Sequence, residues 1–405
     1  MEAAAQGNRP RRWLRALARA AALAAAVLLA LPLLPWPWAA MLVPAASPYV
    51  AVGAALAARA ASLATLVGLP LSVLALAVPR WFCRYGCPVG LLEEPLGRLR
   101  RSAATRFTRW PAVGQWLVLL TLGGAAAGYP LFLWLDPLAM LSALAGAWRH
   151  PPGWAAVAAG MGLPLVLIFS VLFPNAWCMR VCPLGAMQDL LTWPRRRLRR
   201  LAAAAEPSAG NTRQGLARRA ILGAAAGAAC GLATRAVRGA SASPIRPPGA
   251  INEVRFTGLC IRCGNCAGAC PSRIIRPDLG AGGLAGLLAP VVSFNENYCL
   301  EDCNRCQEVC PSGAIRRLSL DEKRRCVMGE ARLDERLCLM TAGQECSICV
   351  RVCPYEAILA EPGADGFSLR PGIDLARCTG CGACQAACPT APAKAIRVEA
   401  APSKR

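Results

Sequence analysis

Cys260-Ile261-Arg262-Cys263-Gly264-Asn265-Cys266-Ala267-Gly268-Ala269-Cys270-Pro271 has the spacing C-x2-C-x2-C-x3-C-P. Three thiols two residues apart wrap a tight loop around one iron–sulfur cube, and the fourth, three residues on, reaches a neighbouring cube. The grammar returns three times. Cys299, Cys303, Cys306 and Cys310 have one extra residue in the first gap. Cys338, Cys346, Cys349 and Cys353 have a seven-residue first gap, and Cys378, Cys381, Cys384 and Cys388 are again regular. Pro271, Pro311, Pro354 and Pro389 close the four runs. Zinc ribbons use two C-x2-C pairs per metal and disulfides need no triplets, so neither explains the pattern. These 16 thiolates suffice for four [4Fe–4S] clusters in two pseudo-symmetric pairs. The expected fold of residues 244–398 is an α+β double bacterial-ferredoxin-type iron–sulfur domain, with 399–405 as a tail.

Upstream the composition changes. The 405 residues are 55% apolar and 17% charged, with 22 cysteines and a single histidine, His150. One histidine cannot supply paired axial ligands to a membrane haem, and no Cys-x-x-Cys is followed by His, so haem is excluded. Mean hydropathy is +0.39, above an ordinary soluble domain. Uncharged runs at Ala20–Ala58, Ala60–Pro79, Ala112–Leu135 and Trp154–Pro174 each meet the ~20 residues a bilayer requires. Trp36, Trp38, Trp134 and Trp154 sit near their ends, as an interfacial aromatic belt does. Four spanning helices are therefore predicted within residues 20–191, after a basic N-terminus 1–19 and before a basic linker 192–216. The formal charge is +22. Much of it lies in three arginine clusters: Arg9–Arg19, Arg98–Arg109 and Arg195–Arg200. By the positive-inside rule these loops are cytoplasmic. The excess charge reads as topology, and no nucleic-acid partner is expected.

The membrane half is an internal repeat. Ser47-Pro48, an apolar span and Cys83-x3-Cys87-Pro88 are answered by Asp136-Pro137, a span and Cys178-x3-Cys182-Pro183. The Ser-Pro and Asp-Pro steps are expected in outer loops and both cysteine pairs on the cytoplasmic face. Each pair puts two sulfurs one helical turn apart. Converging, Cys83, Cys87, Cys178 and Cys182 hold a further cluster or a metal; apart, they act as thiol switches. No intramembrane carboxylate presents itself as a quinol base, Asp136 at an outer helix end coming nearest, and His150 reads as a loop residue. A shorter run, Ala220–Thr234, follows Arg218-Arg219 and precedes Ala240-Ser241-Ala242. Residues 217–243 read either as a twin-arginine-like export signal or as an anchor helix. Both place the cysteine domain outside the cytoplasm. Cys230 and Cys326 read as structural thiols.

Ile245-Arg246-Pro247-Pro248-Gly249-Ala250-Ile251-Asn252-Glu253, running into Cys260-Ile261-Arg262-Cys263-Gly264, resembles the NapG/MauM family of ferredoxin-type proteins. The membrane half resembles their partner quinol dehydrogenase component, NapH, without the cytoplasmic ferredoxin domain that usually follows its fourth span. Together the resemblances cover roughly residues 12–398 and imply a fusion. They imply a membrane-anchored electron-transfer protein of the bacterial inner membrane, with its ferredoxin domain on the periplasmic side. It would take electrons from the quinol pool as a quinol dehydrogenase component and deliver them to a periplasmic reductase or cytochrome. The alternative is an accessory protein supplying electrons for maturation or reactivation of a metalloenzyme; a scaffold without redox activity is the third option. By analogy with related four-cluster subunits the motifs would nest, first with fourth and second with third, sequential pairing being the other arrangement.

Overall fold

The computed structural model describes residues 9–31, 36–99, 110–149, 153–203, 211–238, 244–363 and 369–401. His150, Ala240-Ser241-Ala242 and much of the arginine loop at 100–109 lie outside them. The chain forms two compact units. The first comprises residues 1–240 with 254–265 and 309–314. The second comprises 241–253, 266–308 and 315–405.

In the first unit, an alanine-rich stretch forms α1 (Arg9–Ala30), alanine being the strongest helix former. Its segment Trp13–Ala30 is the one described helix long and apolar enough by itself to cross a membrane. The run expected to continue to Ala58 breaks. Pro37–Ala45 is followed by α2 (Pro48–Ala58), bent from it by 96°. Ser47 caps α2 through its hydroxyl and Pro48 occupies the first turn, the positions each residue type favours. Arg59, in a left-handed conformation, ends it. A Ser62–Thr65 capping box starts α3 (Leu63–Ala77). After Arg80, also left-handed, come a turn at Trp81–Tyr85 and α4 (Pro88–Leu99).

The second half repeats the order. Helix α5 (Val113–Ala126) ends before Gly128 (φ 82°), short of the Leu135 expected from hydropathy. Helix α6 (Pro137–Arg149) follows, then α7 (Trp154–Gly160) and α8 (Gly162–Leu172), a pair bent by 47°. A π-turn at Trp177–Val181 precedes α9 (Pro183–Ala203). Asn175, at the place of Arg80, has φ 62° against 50° for Arg80. The repeat thus extends to backbone conformation.

By length and composition one described helix qualifies as a span, or three if each bent pair counts as one. The four spanning helices expected from hydropathy are thus not confirmed among the described residues. The 14 residues of α5 and 15 of α3 reach only ~22 Å at 1.5 Å per residue, against a hydrocarbon core of ~30 Å. Hydropathy could not see the break, because Ser47-Pro48 and Asp136-Pro137 begin helices inside the protein. Both residues are fully buried, and the Ser47 hydroxyl donates to Asp136 Oδ2 at 2.5 Å. The steps expected in outer loops instead join the two halves of the repeat. Asp136 also accepts from the Leu138 and Ala139 amides, so it works as a buried helix cap.

The short fifth run lies inside a 28-residue helix, α10 (Asn211–Arg238). Gly223, Gly227 and Gly231, spaced every four residues, face Leu119, Leu120 and Gly124 of α5. A Cβ at Gly227 would collide with the Leu120 carbonyl, and one at Gly123 with that of Ala224. This is the close backbone approach that small-xxx-small spacing allows. Within the same unit, the loop carrying the first cysteines rests on the helices. Asn265 donates to the Ala40 carbonyl at 3.0 Å, Gly258 packs on the Tyr129 ring, and the Arg262 guanidinium lies 5.4 Å over the Trp134 ring.

The second unit is built of three two-stranded antiparallel ribbons. Strands β1 (Ile275–Pro277) and β2 (Pro290–Val292) pair Ile275 with Val292. Strands β3 (Gly329–Leu333) and β6 (Ile396–Ala400) pair Ala331 with Val398, and β4 (Ile358–Pro362) pairs with β5 (Leu369–Ile373). Their inward residues Ile275, Val292, Ala331, Ile358 and Ile396 are buried among cysteines. The α+β character expected of a ferredoxin-type domain is present: hairpin ribbons alternate with short helices, among them the one-turn helices that hold the third cysteine of each motif.

Candidate iron–sulfur sites

Each motif folds as a loop running into a short helix. Cys266, Cys306, Cys349 and Cys384 lie on the turns Asn265–Ala269, Arg305–Glu308, Ile348–Arg351 and Ala383–Ala387. The last cysteine of each motif follows its turn, where the next residue, proline, disfavours further helix. In the regular motifs the loop needs left-handed glycines: Gly264 at φ 72°, Gly380 at 70° and Gly382 at 85°. A Cβ on Gly380 or Gly382 would strike the Gly329 backbone or the Phe294 ring.

The fourth cysteine of each motif crosses to the adjacent motif. Cys353 joins Cys378, Cys381 and Cys384 around one small cavity. Cys388 returns the exchange, joining Cys338, Cys346 and Cys349 around a second small cavity. Cys270 lies with Cys299, Cys303 and Cys306, each close enough to act electrostatically on its neighbours. In the first unit, Cys310 comes to Cys263 and Cys260, with Cys266 next in that loop by sequence. The nested arrangement expected by analogy is therefore corrected to sequential pairing, first with second and third with fourth. Sequence neighbours close the shorter loop at lower entropic cost, and the β1–β2 and β4–β5 ribbons fold the connecting chain back to do so.

The donor sets suit a cationic cluster. Burial pushes the Cys299, Cys349 and Cys381 thiols up to about 11, helped by the neighbouring thiols. A buried cluster of thiolates needs a positive centre to hold its charge. Backbone N–H groups already point at several sulfurs. Ala357 N–H donates to Cys353 Sγ at 3.3 Å, and amides of Asn265, Ala383 and Gln385 reach Cys263, Cys381 and Cys384. Burial raises the Cys388 thiol too, but the Thr390 hydroxyl and amide, with the Ile396 and Ala395 amides, bring it below the ordinary value. Among the described residues no three His, Cys, Asp or Glu side chains gather tightly enough for a single metal ion.

The second cysteine constellation lies in the first unit, where the two Cys-x3-Cys pairs interlock. Cys182 lies within electrostatic range of Cys83 and Cys87, and Cys178 of Cys87 and Cys182. Two residues that the sequence reading passed over tie the pairs together. Glu93 stands six residues after Cys87, and Gln188 six after Cys182. Each reaches across to the opposite half. Cys178 Sγ donates to Glu93 Oε2 at 2.6 Å, and Gln188 Nε2 donates to Cys83 Sγ at 3.0 Å. Ser170 donates to Glu93 Oε1, and the Phe82 amide donates to Gln188 Oε1. Glu93 is 4% exposed and Gln188 fully buried. Aligning the halves on their Cys-Pro steps would have exposed this pair of polar residues in apolar surroundings. Arg80 Nη2 and Asp189 Oδ2 form an ion pair at 2.5 Å beside them.

A family model described as a 4Fe-4S dicluster domain matches residues 259–314 and 343–391. The first match encloses the first and second motifs, and the second encloses the third and fourth apart from Cys338. The MauM methylamine utilization ferredoxin-type protein of Methylobacillus flagellatus is 39% identical over 170 residues, 39% of this chain and 69% of that protein. The ferredoxin-type protein NapG of Escherichia coli is 40% identical over 161 residues, 37% of this chain and 68% of the relative. MauM of Methylorubrum extorquens is 38% identical over 166 residues, 39% of this chain and 74% of that protein. The chain belongs to the NapG/MauM ferredoxin-type family. It is accordingly a ferredoxin-type iron–sulfur electron-transfer protein. The NapG/MauM likeness covers less than two fifths of the chain. A separate model, described as a 4Fe-4S binding domain, matches residues 60–105 and 155–201, the two halves that carry the Cys-x3-Cys-Pro motifs. No solved structure matches. Cys230 is exposed on α10 and Cys326 is half-buried.

Proposed function

We propose that this NapG/MauM-type protein is a membrane-anchored wire carrying electrons from quinol to a periplasmic reductase or cytochrome. Four thiol sets would hold four [4Fe–4S] clusters: Cys260, Cys263, Cys266 and Cys310; Cys270, Cys299, Cys303 and Cys306; Cys353, Cys378, Cys381 and Cys384; and Cys338, Cys346, Cys349 and Cys388. Each bound cluster supplies one-electron storage. The observation that carries the reading is the continuity of these sets. Within the second unit the Cys299 amide donates to the Cys381 carbonyl at 2.9 Å, so loops of the second and third sets touch. Exchanged fourth cysteines link the third set to the fourth. Within the second unit the order along the wire is therefore second, third and fourth set.

Membrane anchoring rests on α1, the bent pairs and α10. The glycine seam between α5 and α10 favours an anchor that stays packed over a signal that is removed. On the arginine pattern, residues 20–191 form the multi-pass part with Cys83, Cys87, Cys178 and Cys182 facing the cytoplasm, and 244–398 lie outside. Glu93 and Gln188 hold the four membrane-half thiols in one constellation, which would bind a further cluster or metal, in keeping with the 4Fe-4S model that matches this half. Oxidation of a quinol releases two electrons and two protons, the electrons leaving one at a time through the thiol-held sites.

Anaerobic membranes containing the chain test the proposal. Adding duroquinol should produce the EPR signals of reduced [4Fe–4S] centres, and a soluble cytochrome should reoxidise them. Signals that appear with dithionite but never with quinol would remove the quinol-oxidising role.

A further inference from the structure

The chain carries 42 arginines but only three lysines, Lys323, Lys394 and Lys404. The two that are described both point into the cysteine loops. Lys394 Nζ donates to the Cys388 carbonyl and Lys323 Nζ to the Leu300 carbonyl, one residue after Cys299. Lys323 is the more constrained. It is 2% exposed, and among the described residues no carboxylate lies within ion-pair distance of it. Its helix, Leu320–Arg324, starts at a capping box between Ser319 and Glu322, which fixes the side-chain direction. Asp321 and Arg324 on the same turn pair with each other at the surface, leaving Lys323 alone to point inward.

A buried ammonium without an anionic partner is costly. Here cysteine sulfurs lie within its electrostatic reach. Its charge acts on Cys299 and Cys306 of the second set and on Cys381 of the third. It therefore stands at the junction where the Cys299 amide meets the Cys381 carbonyl, beside Tyr355, which packs against the cores on both sides. An ammonium is a compact point charge, whereas the guanidinium used elsewhere in the chain is a broad planar fork.

We propose that Lys323 is the residue that sets the reduction potentials of the two central sites, stabilising the added electron on either side of the junction between the sequential pairs. Cluster potentials respond to nearby charge and to hydrogen bonding. A fixed cation shared by two adjacent sites raises both together and keeps the crossing between them nearly level. Lys323 is a positioning charge for electrons, not a ligand. The inference rests on the four-site reading above.

The full chain, purified anaerobically in detergent, is titrated potentiometrically with EPR detection, alongside Lys323→Gln and Lys323→Arg. Glutamine retains a donor for the Leu300 carbonyl and removes the charge; arginine retains the charge. In Lys323→Gln two of the four reduction steps should move to lower potential, by tenfold or more in equilibrium constant, about 59 mV for a one-electron couple. The other two steps should hold, and Lys323→Arg should titrate like the native chain. Four unchanged steps in a fully loaded Lys323→Gln overturn the proposal. Iron lost from the glutamine variant but retained with arginine leaves the charge as what the sites require and supports it. Iron lost from both makes Lys323 a packing residue and overturns it. A native chain holding less than about 16 iron would instead break the four-site reading.

Discussion

Sequential and nested pairing of the cysteine motifs make opposite claims about which thiols share an iron–sulfur site, and iron content can separate them. In the structure Cys270 belongs with Cys299, Cys303 and Cys306, and Cys384 with Cys353, Cys378 and Cys381. Removing one thiol from a four-thiol buried set leaves a cube without a ligand in a cavity with no replacement, so Cys270→Ala should lose one cube, about four of the ~16 iron in the four sets, any iron at the membrane-half thiols being a constant addition. A second removal from the same set has nothing further to take away. Cys270→Ala with Cys306→Ala should therefore stay near ~12 iron, while Cys270→Ala with Cys384→Ala should fall to ~8. Nesting would place Cys270 with Cys378, Cys381 and Cys384, and the two results would exchange. The assay is iron and acid-labile sulfide per chain after anaerobic purification, with EPR spin counts after dithionite as an independent measure. Near-additive loss in the Cys270/Cys306 pair combined with no extra loss in the Cys270/Cys384 pair refutes the sequential assignment.

The glycine seam makes a second test: Gly227→Leu places a side chain where the Leu120 carbonyl already sits. It should cost about 1–3 kcal/mol of overpacking, read as a lower unfolding temperature in detergent, whereas Ala226→Leu at the exposed neighbouring position should be near neutral. The third concerns the cluster-free chain. Its Cys299, Cys349 and Cys381 thiols titrate near 11 when folded against an ordinary 9.0. The folded state therefore holds protons that the unfolded chain has released, and stability falls as pH rises from about 9 to 11, up to tenfold per unit per thiol in the unfolding constant. Denaturant melts of the apoprotein at pH 8 and pH 10 measure it, and a midpoint that is flat or higher at pH 10 contradicts the burial of those thiols.

How much of this could be read from the chain alone follows from the range of each interaction. The four C-x2-C-type runs are local: a tight loop around a cube is set within a dozen residues, so the iron–sulfur class and the α+β ferredoxin character were legible at Cys260–Pro271 and its three echoes. The repeat of Cys83/Cys87 in Cys178/Cys182 was legible for the same reason. What failed was whatever depended on partners far along the chain. Hydropathy averages over a window, so it joined Ala20–Ala58 into one span and could not register that Ser47 and Asp136 cap helices against each other in the interior. Spacing says that a fourth cysteine leaves its own loop but not where it goes. Only the folded ribbons decide that Cys270 meets Cys299 and Cys353 meets Cys381. Glu93 and Gln188 look like ordinary polar residues on amphipathic helices until the two halves close and each reaches the other's thiol. Lys323, a dozen residues beyond the nearest motif, reads as one more surface charge in Asp321-Glu322-Lys323-Arg324-Arg325. Tertiary packing alone turns it inward, because the capping box at Ser319 fixes the helix and the sulfur-lined junction of the two central sites offers a buried cation its negative surroundings.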